Sequence, residues 1–182
     1  MCTQEAKAGG ATATSSAATS SAPKKKAVRA SPNTLYVLLV AIIDGPVTEA
    51  FIAQNPEVSR TIEIKGSNTL KDLHNILFSA FDREENHMYE FQIGGRGPHD
   101  PNATTYGIKI PSEPTSDKDV AKAKIATLGL SEGDAFGYGF DFGDDWWHQV
   151  NVLEIKEKAP KGKYPKVTKR IGASPPQYAD FE

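Results

Sequence analysis

Apolar residues follow strand-like patterns in the first part of the chain after residue 33. Residues 35–43 (LYVLLVAII) form the longest apolar run, which has the length of a strand and is far too short for a membrane span. This near-continuous run predicts a strand that is covered on both faces and ends at the Asp-Gly-Pro of residues 44–46. Residues 60–65 (RTIEIK) alternate instead, with Ile62 and Ile64 on one face, and predict a half-buried strand.

The next segment has helical periodicity. Its apolar stripe, spaced i, i+3, i+4 and i+7, consists of Leu70, Leu73, His74, Leu77 and Phe81. Thr69 followed three residues later by Asp72 resembles a capping box, which favours a helix start at this point. Because His74 lies on the apolar face, we interpret it as a buried histidine bonded to a backbone carbonyl rather than as a catalytic residue.

Shorter elements are predicted between residues 87 and 134. Residues 87–93 (HMYEFQI) alternate and predict a strand with Tyr89, Phe91 and Ile93 on its buried face. Residues 94–106 are rich in glycine and proline and predict a loop, residues 117–126 predict a short helix, and residues 131–134 predict a turn.

Residues 136–155 (FGYGFDFGDDWWHQVNVLEI) predict a hairpin. By period two, the aromatic residues Phe136, Tyr138, Phe140 and Phe142 share one face. Gly137 and Gly139 point to the other face, where we expect a close neighbour. Together these elements predict an α+β fold, a mostly antiparallel sheet covered by one main helix with a C-terminal aromatic-rich hairpin.

Composition divides the chain into three parts. Residues 1–33 are low in complexity and predict a disordered tail, residues 34–160 the α+β domain, and residues 161–182 an irregular extension packed on that domain. The N-terminus lacks the basic-then-apolar order of a secretory signal, and Cys2 is the single cysteine, so no intramolecular disulfide can form. We therefore expect a cytoplasmic protein that does not span a membrane.

Charge is unevenly distributed. Residues 1–33 contain five basic residues and one acid, whereas the chain from residue 34 onward contains 16 basic and 22 acidic residues. An acidic domain repels phosphate, so we expect no nucleic-acid binding by the domain itself. The basic stretch PKKKAVR, residues 23–29, leaves a DNA-associated role for the tail as one hypothesis.

Several fragments in this order resemble one family, the plasmid pRiA open-reading-frame-three-like family, also called the transposon-passenger TnpR-like family. They are YVLLVAI, RTI, TLKDLH, HMYEF, YGFDFGDDWWHQVNV and a terminal YPKV and GASPPQY, spread over residues 35–178. The YxFDFGDxWxH element, residues 138–148, is the most specific of them. The resemblance implies an α+β fold and an association with mobile elements, and it implies no particular reaction.

The chain departs from the family pattern in two places. Val58 and Ser59 stand where the family often has a Trp-Arg pair. The C-terminal GASPPQY, residues 172–178, stands where the family commonly carries cysteines and a Pro-Pro-Glu-Asp sequence. A family function that used those cysteines or acids would be absent from this chain.

The hairpin turn also concentrates polar residues that are candidates for chemistry. Asp141, Asp144 and His148 are the candidate catalytic residues, and with Asp145 they form a candidate divalent-metal set of carboxylates and imidazole. Further candidate binding residues are Arg60, His74, His87, Trp146 and Trp147.

A structural interpretation of the same residues competes with the chemical one. Turn aspartates accept hydrogen bonds from backbone amides, and a buried indole needs an acceptor. His148 would then donate to Asp141, and Arg60 would pair with Asp144.

Three hypotheses follow for the function. The leading one is a non-enzymatic binding or accessory module for an unknown ligand or protein partner. The second is a metal-dependent hydrolase or nuclease-like enzyme that uses Asp141, Asp144 and His148. The third is a DNA-associated protein that binds through its basic tail.

Overall fold

The computed structural model describes residues 28–108 and 118–179, which form a single mostly antiparallel sheet with two α-helices. The strands are β1 Leu35–Asp44, β2 Ser59–Lys65, β3 Tyr89–Ile93, β4 Thr104–Gly107, β5 Lys118–Asp119, β6 Ala135–Phe140, β7 Trp146–Lys156 and β8 Lys166–Ile171. The helices are α1 Glu49–Gln54 and α2 Leu70–Ala80, and a 3-10 turn spans Ile125–Thr127. The order across the sheet is β5-β4-β3-β6-β7-β1-β2-β8, in which β4 and β5 alone are parallel among the described strands. The predicted α+β class and the mostly antiparallel sheet are thus confirmed.

The central strand β1 carries the core on one face. Tyr36, Leu38 and Val40 are fully buried, whereas Val37 and Leu39 on the opposite face keep partial contact with solvent. The prediction of a strand covered on both faces holds only in part, because Leu35 on the second face is buried whereas Val37 and Leu39 are half-buried. The β2 and β3 predictions are confirmed, since Ile62, Ile64 and the alternate residues of β3 are buried.

Helix α2 has a defined start and a defined end. Thr69 Oγ1 accepts from Asp72 N at 3.2 Å, and Asp72 Oδ2 accepts from Thr69 N at 2.8 Å, which confirms the predicted capping box. At the other end Asp82 has a positive φ of 51°, and Arg83 N donates to Phe78 O at 3.0 Å. This left-handed ending is a Schellman-type cap, and it turns Arg83 back beneath the helix.

The β6–β7 pair places its aromatic residues in the core. Phe136, Tyr138 and Phe140 are buried on one face, and Trp146 and His148 are buried on the returning strand. Phe142 is half exposed, contrary to prediction, because the turn has already begun at residue 141 and the alternation stops there.

The two glycines of β6 meet close neighbours, as predicted. A Cβ atom at residue 137 would lie 2.9 Å from Pro98 Cα, and one at residue 139 would lie 2.9 Å from the Trp147 ring. Larger residues at these positions would push the loop after β3 and the Trp147 indole away from the sheet.

Two segments before β6 differ from the predicted elements. The helix expected over residues 117–126 is absent from its described part, residues 118–126, where strand β5 and a 3-10 turn lie instead. There the carbonyl oxygens of Val120 and Ala123 accept hydrogen bonds from Lys71 N and Leu70 N, the first amides of α2. These carbonyl groups are therefore not available for hydrogen bonds within a helix of their own segment. The end of the predicted loop, from residue 104, forms β4.

The C-terminal extension is only partly irregular. Within residues 161–182, the segment Lys166–Ile171 forms β8, which pairs with β2. Most of the predicted disordered tail, residues 1–27, lies outside the described residues. In the described ranges no helix has both the length and the apolar character needed to cross a membrane.

Candidate functional site

A cleft of about 500 Å³ opens beside helix α2. It lies between the polar side of α2, the segment that leads into β3, and the turn after β5. Its polar lining consists of Lys71, His74, Asn75, Asn86, His87 and Asp119. Two of these, His74 and His87, are predicted binding residues that lie far apart in the sequence, and the fold brings them to one cavity.

His74 forms one wall of the cleft and is held from behind. Its ring stacks on Tyr89 with centroids 3.5 Å apart and planes 1° apart, and its Nδ1 lies 2.8 Å from the Tyr138 hydroxyl. The expected partner, a backbone carbonyl, is therefore wrong. Burial, with a smaller contribution from Lys71, lowers the pKa of His74 to about 4. The imidazole is consequently neutral at neutral pH and can accept or donate a hydrogen bond without a change of charge.

His87 is held by the hairpin turn and by the C-terminal segment. Its Nε2 lies 2.9 Å from the Tyr178 hydroxyl and 3.4 Å from Asp141 Oδ2. Because the Tyr178 hydroxyl donates to Glu85 Oε2 at 2.9 Å, its oxygen is left to accept from His87 Nε2. The lone pair of the neutral ring then resides on Nδ1.

Asp141 belongs to this arrangement as a positioning residue. It is buried, has a positive φ of 56° at the start of the turn, and its N donates to Met88 O at 2.9 Å. Its carbonyl oxygen accepts from the amides of Asp144 and Asp145 at 3.1 and 2.6 Å. The turn backbone therefore holds the carboxylate near His87. Asp141 Oδ2 has no hydrogen-bond partner among the described residues, because His87 Nε2 bonds the Tyr178 hydroxyl instead.

A second polar group lies deeper, under the hairpin. The Arg83 guanidinium stacks 3.7 Å from the Trp146 ring, and both of its Nη atoms are buried without a hydrogen-bond partner among the described residues. His148 Nε2 is likewise buried and unpartnered, while its Nδ1 lies 3.3 Å from Tyr138 O. Burial and the nearby Arg83 charge lower the pKa of His148 to about 3. The expected hydrogen bond from His148 to Asp141 is therefore wrong.

The predicted metal set is not assembled at the turn. Asp145 Oδ1 accepts from Trp147 Nε1 at 2.8 Å, Asp144 is half buried, and His148 points into the core from the returning strand. Throughout residues 28–108 and 118–179, no three His, Cys, Asp or Glu side chains are grouped to hold a metal ion. Sequence proximity misleads here because alternation along a strand and a tight turn send neighbouring side chains in different directions.

Arg60 is buried at the far side of α2 and makes no pair with Asp144. Its nitrogens instead donate to main-chain oxygens, among them Ala80 O at 2.8 Å, Ser59 O at 2.7 Å and Ile171 O at 2.8 Å. It is a structural clamp rather than a binding residue.

The two tryptophans also have structural contacts. Trp146 is fully buried and donates to Gln177 O at 3.2 Å. Trp147 packs on the opposite face of the sheet, with the ring of His99 at 4.0 Å.

Four cleft residues and two supporting residues escaped prediction. Lys71 and Asn75 are four residues apart and therefore share one side of helix α2, next to His74. This helical spacing could have indicated that both lie on the same surface as His74. Asn86 and Asp119 reach the cleft only through tertiary folding. The same holds for Tyr178 and Glu85, whose contact spans 93 residues of chain and leaves no local pattern.

Comparison with known proteins gives a family and a fold. A family model described as "Plasmid pRiA4b ORF-3-like protein" matches residues 50–180. A curated relative from Sinorhizobium fredii (strain NBRC 101917 / NGR234), "Uncharacterized protein y4hQ", is 25% identical over 125 residues. That match covers 67% of this chain and 59% of the relative, so the chain spans less than two thirds of the relative's length.

A solved structure has the same fold. It is described as the crystal structure of a protein of unknown function, MM3350, from Methanosarcina mazei Go1, and it matches with a TM-score of 0.62 and 23% identity. The match covers 80% of this chain and 74% of that one. Because the family model matches well over half of the residues, the chain belongs to the plasmid pRiA4b ORF-3-like protein family.

Proposed function

We propose that the protein is a binding module that holds a small polar molecule in the cleft between His74 and His87. The observation that carries this proposal is the cleft itself, about 500 Å³ in volume, in which two imidazoles are each fixed by a partner behind them. A cavity of this size is typical of small-molecule sites, and preorganised polar groups lower the entropic cost of binding.

The lining defines the chemistry of the ligand. Two imidazoles, two carboxamides, the Lys71 ammonium and the Asp119 carboxylate offer both donors and acceptors. A molecule with several hydrogen-bonding groups, such as a nucleoside, an amino acid or a short hydroxy acid, matches this set. Ile108 and Val120 supply an apolar patch for its carbon skeleton.

A ligand panel measured by thermal shift tests the proposal. Nucleosides, amino acids and hydroxy acids are each added to the wild type, to His87→Ala and to Asn75→Ala. We expect at least one class to raise Tm of the wild type and to lose this effect in both variants. His99→Asn is the control, since His99 lies outside the cleft and asparagine tolerates its positive φ of 63°. A shift that survives in both cleft variants, or a panel without any shift, contradicts the proposal.

A second candidate function is general acid–base catalysis by His87. It rests on a buried carboxylate near the ring: Asp141 Oδ2 lies 3.4 Å from His87 Nε2, while the Tyr178 hydroxyl holds that nitrogen at 2.9 Å. The metal-dependent hydrolase of the sequence hypothesis is a separate candidate, which uses Asp141, Asp144 and His148. It predicts a thermal shift with manganese or zinc that Asp144→Ala abolishes. Equal metal responses of wild type and Asp144→Ala argue against it.

The setting of the module is part of the same proposal. We infer a cytoplasmic protein associated with mobile genetic elements, supported by the single cysteine and by the plasmid-derived family. The family match over residues 50–180 supports a domain that includes the C-terminal extension.

A further inference from the structure

One segment of the folded domain is strongly basic, although the domain as a whole has more acidic than basic residues. Between residues 156 and 170 the chain has seven basic residues and one acid, Glu157. The preceding residues 34–155 have nine basic and nineteen acidic residues. We call the seven residues the basic surface; they are Lys156, Lys158, Lys161, Lys163, Lys166, Lys169 and Arg170.

All seven residues of the basic surface are exposed. They extend from the end of β7, through the loop at residues 157–165, to β8, which is the outermost strand on that side of the described sheet. Three have carboxylate partners, namely Lys156 with Glu154, Lys166 with Glu63 and Arg170 with Asp82, at 3.0–3.7 Å.

The remaining four charges are not neutralised. Within the described part of the chain, Lys158, Lys161, Lys163 and Lys169 have no carboxylate within 4.0 Å. Each keeps a full positive charge in solvent, where only salt screens it.

An aromatic ring lies in the loop that carries part of the basic surface. Tyr164 is partly exposed, and the ammonium groups of Lys166 and Lys65 lie 5.1 and 5.8 Å from its ring centroid. Its hydroxyl donates to Pro160 O at 3.1 Å, which fixes the ring within the loop. A fixed aromatic face between lysines offers stacking to a base whose phosphates the lysines neutralise.

The N-terminal segment joins the same surface. Ala159 N donates to Asn33 O at 2.7 Å, so the residues that precede β1 lie against the lysine-rich loop. Arg29 and Lys158 line one shared cavity there. Lys24, Lys25 and Lys26 precede Arg29 by three to five residues, a reach of at most about 18 Å in extended chain.

We propose that the basic surface binds the phosphate backbone of a nucleic acid. The acidic remainder of the domain repels phosphate and so confines the contact to this edge. The loop and β8 expose no large apolar side chain for insertion into a bilayer, which favours nucleic acid over a lipid surface. This replaces the expectation that the domain itself avoids nucleic acid, and it is independent of the ligand cleft.

Fluorescence anisotropy with the full chain tests the proposal. The probes are labelled 20-mers of single-stranded DNA, duplex DNA and RNA, each titrated between 50 and 200 mM salt. The surface variant combines Lys158→Gln, Lys161→Gln and Lys163→Gln. Its matched control combines Arg96→Gln, Lys122→Gln and Lys124→Gln, which removes three positive charges elsewhere. A third variant changes Lys24, Lys25 and Lys26 to glutamine.

We expect the surface variant to lose about tenfold or more in affinity at 50 mM salt. Its slope of log K against log salt should fall by about 3 on duplex DNA, since each lost phosphate contact removes about 0.9. The control should bind within about twofold of the wild type, and the tail variant, which keeps the basic surface, should still bind.

Three outcomes overturn the proposal. One is an unchanged affinity of the surface variant, which would leave binding to the tail alone. Another is an equal loss in the matched control, which would reduce the effect to net charge. The last is binding to phosphatidylserine vesicles with no binding to any of the three oligonucleotides.

Discussion

The guanidinium of Arg60 lies wholly inside the protein, where carbonyl oxygens rather than a carboxylate satisfy it. Its five hydrogen bonds connect the end of α2, the start of β2 and the end of β8 with the residues that follow it, and its charge lies 5.0 Å from the Phe81 ring. The planar fork of arginine suits such divergent acceptors, and a lysine ammonium could reach only some of them.

Arg60→Met should lower the free energy of unfolding by about 3 kcal/mol, because several buried carbonyl groups lose their donor. Urea denaturation measures the change. Arg96→Met is the control, since the Arg96 side chain is 92% exposed and should cost less than about 0.5 kcal/mol. Equal losses in the two variants would show that the Arg60 bonds contribute nothing to stability.

The buried histidines make stability depend on pH. Burial lowers the pKa of His148 to about 3 and that of His74 to about 4, whereas both titrate near 6.5 in the unfolded chain. Below pH 6.5 the unfolded state therefore binds protons that the folded state does not. Stability falls with decreasing pH, by about 1.4 kcal/mol per pH unit for each histidine.

His148→Phe should remove the part of this pH dependence that His148 contributes. Between pH 6.5 and 5 the fall in the free energy of unfolding should be about 2 kcal/mol smaller than in the wild type. Urea titrations at the two pH values give the difference. An identical fall in wild type and variant would mean that the folded state protonates His148 at its ordinary pKa.

Individual polar residues were the part of the site that sequence reasoning located least well. His74 and His87, two of the candidate binding residues, both line the cleft; His74 lies within α2 and His87 lies just before β3, two elements with a clear period. The chemistry expected of Asp144 and His148 depended on their closeness in the chain. Their side chains diverge, and the groups that hold His87 come from the turn and from residue 178.

Among the elements, helix α2 is the one whose local sequence and tertiary role agree throughout. Its capping box is complete, and its apolar stripe is buried against the aromatic residues of β3 and β6. Helix α1 differs, because Thr48 caps it through Phe51 N but none of its residues is buried. Comparing the two helices therefore shows how much a capping residue contributes to stability when the helix is packed on the core and when it is not.

Thr69→Ala should lower the free energy of unfolding by about 1 kcal/mol, since the first amides of a packed helix lose their acceptor. Thr48→Ala should cost only a few tenths, because fraying of α1 exposes little apolar surface. Chemical denaturation of both variants tests the contrast. A larger loss for Thr48→Ala would mean that α1 contributes to the cooperative core.

Strands with a strong alternation of apolar and polar residues could be predicted from the sequence. Strands that form only because their backbone pairs with a neighbouring strand could not. β1, β2, β3 and β6 each bury a regular set of apolar side chains. β8 has no buried residue and exists because its backbone pairs with β2, while two-residue β5 pairs with β4. Such edge strands leave no hydrophobic period in the sequence, and α1 is equally short and unburied.

At the scale of the whole molecule, the C-terminal segment fastens distant parts of the fold together. Gln177 Oε1 accepts from the amides of Glu84 and Glu85 at 2.8 and 3.0 Å, and its Nε2 donates to Glu85 O at 3.0 Å. Its main-chain oxygen receives the Trp146 indole proton. One residue near the end of the chain therefore connects the segment after α2 to a central strand.

Gln177→Ala should lower the free energy of unfolding by about 2 kcal/mol and speed amide hydrogen exchange at Glu84 and Glu85. Exchange measured by NMR is the sharper readout, because it reports the two amides directly. Gln149→Ala is the control, since that glutamine bonds only the neighbouring Asn151 side chain among the described residues. Unchanged exchange at both amides would contradict the fastening role.

The sheet order affects how the protein folds during its synthesis on the ribosome. Val40 of β1 pairs with Val150 of β7, so β1 emerges about 110 residues before the strand that flanks it. At 5–20 residues per second the nascent chain carries an apolar strand with one open edge for roughly 5–20 s. β2 closes the other edge early. A holdase chaperone that covers this open edge during translation should therefore raise the yield of folded protein more than one supplied after release.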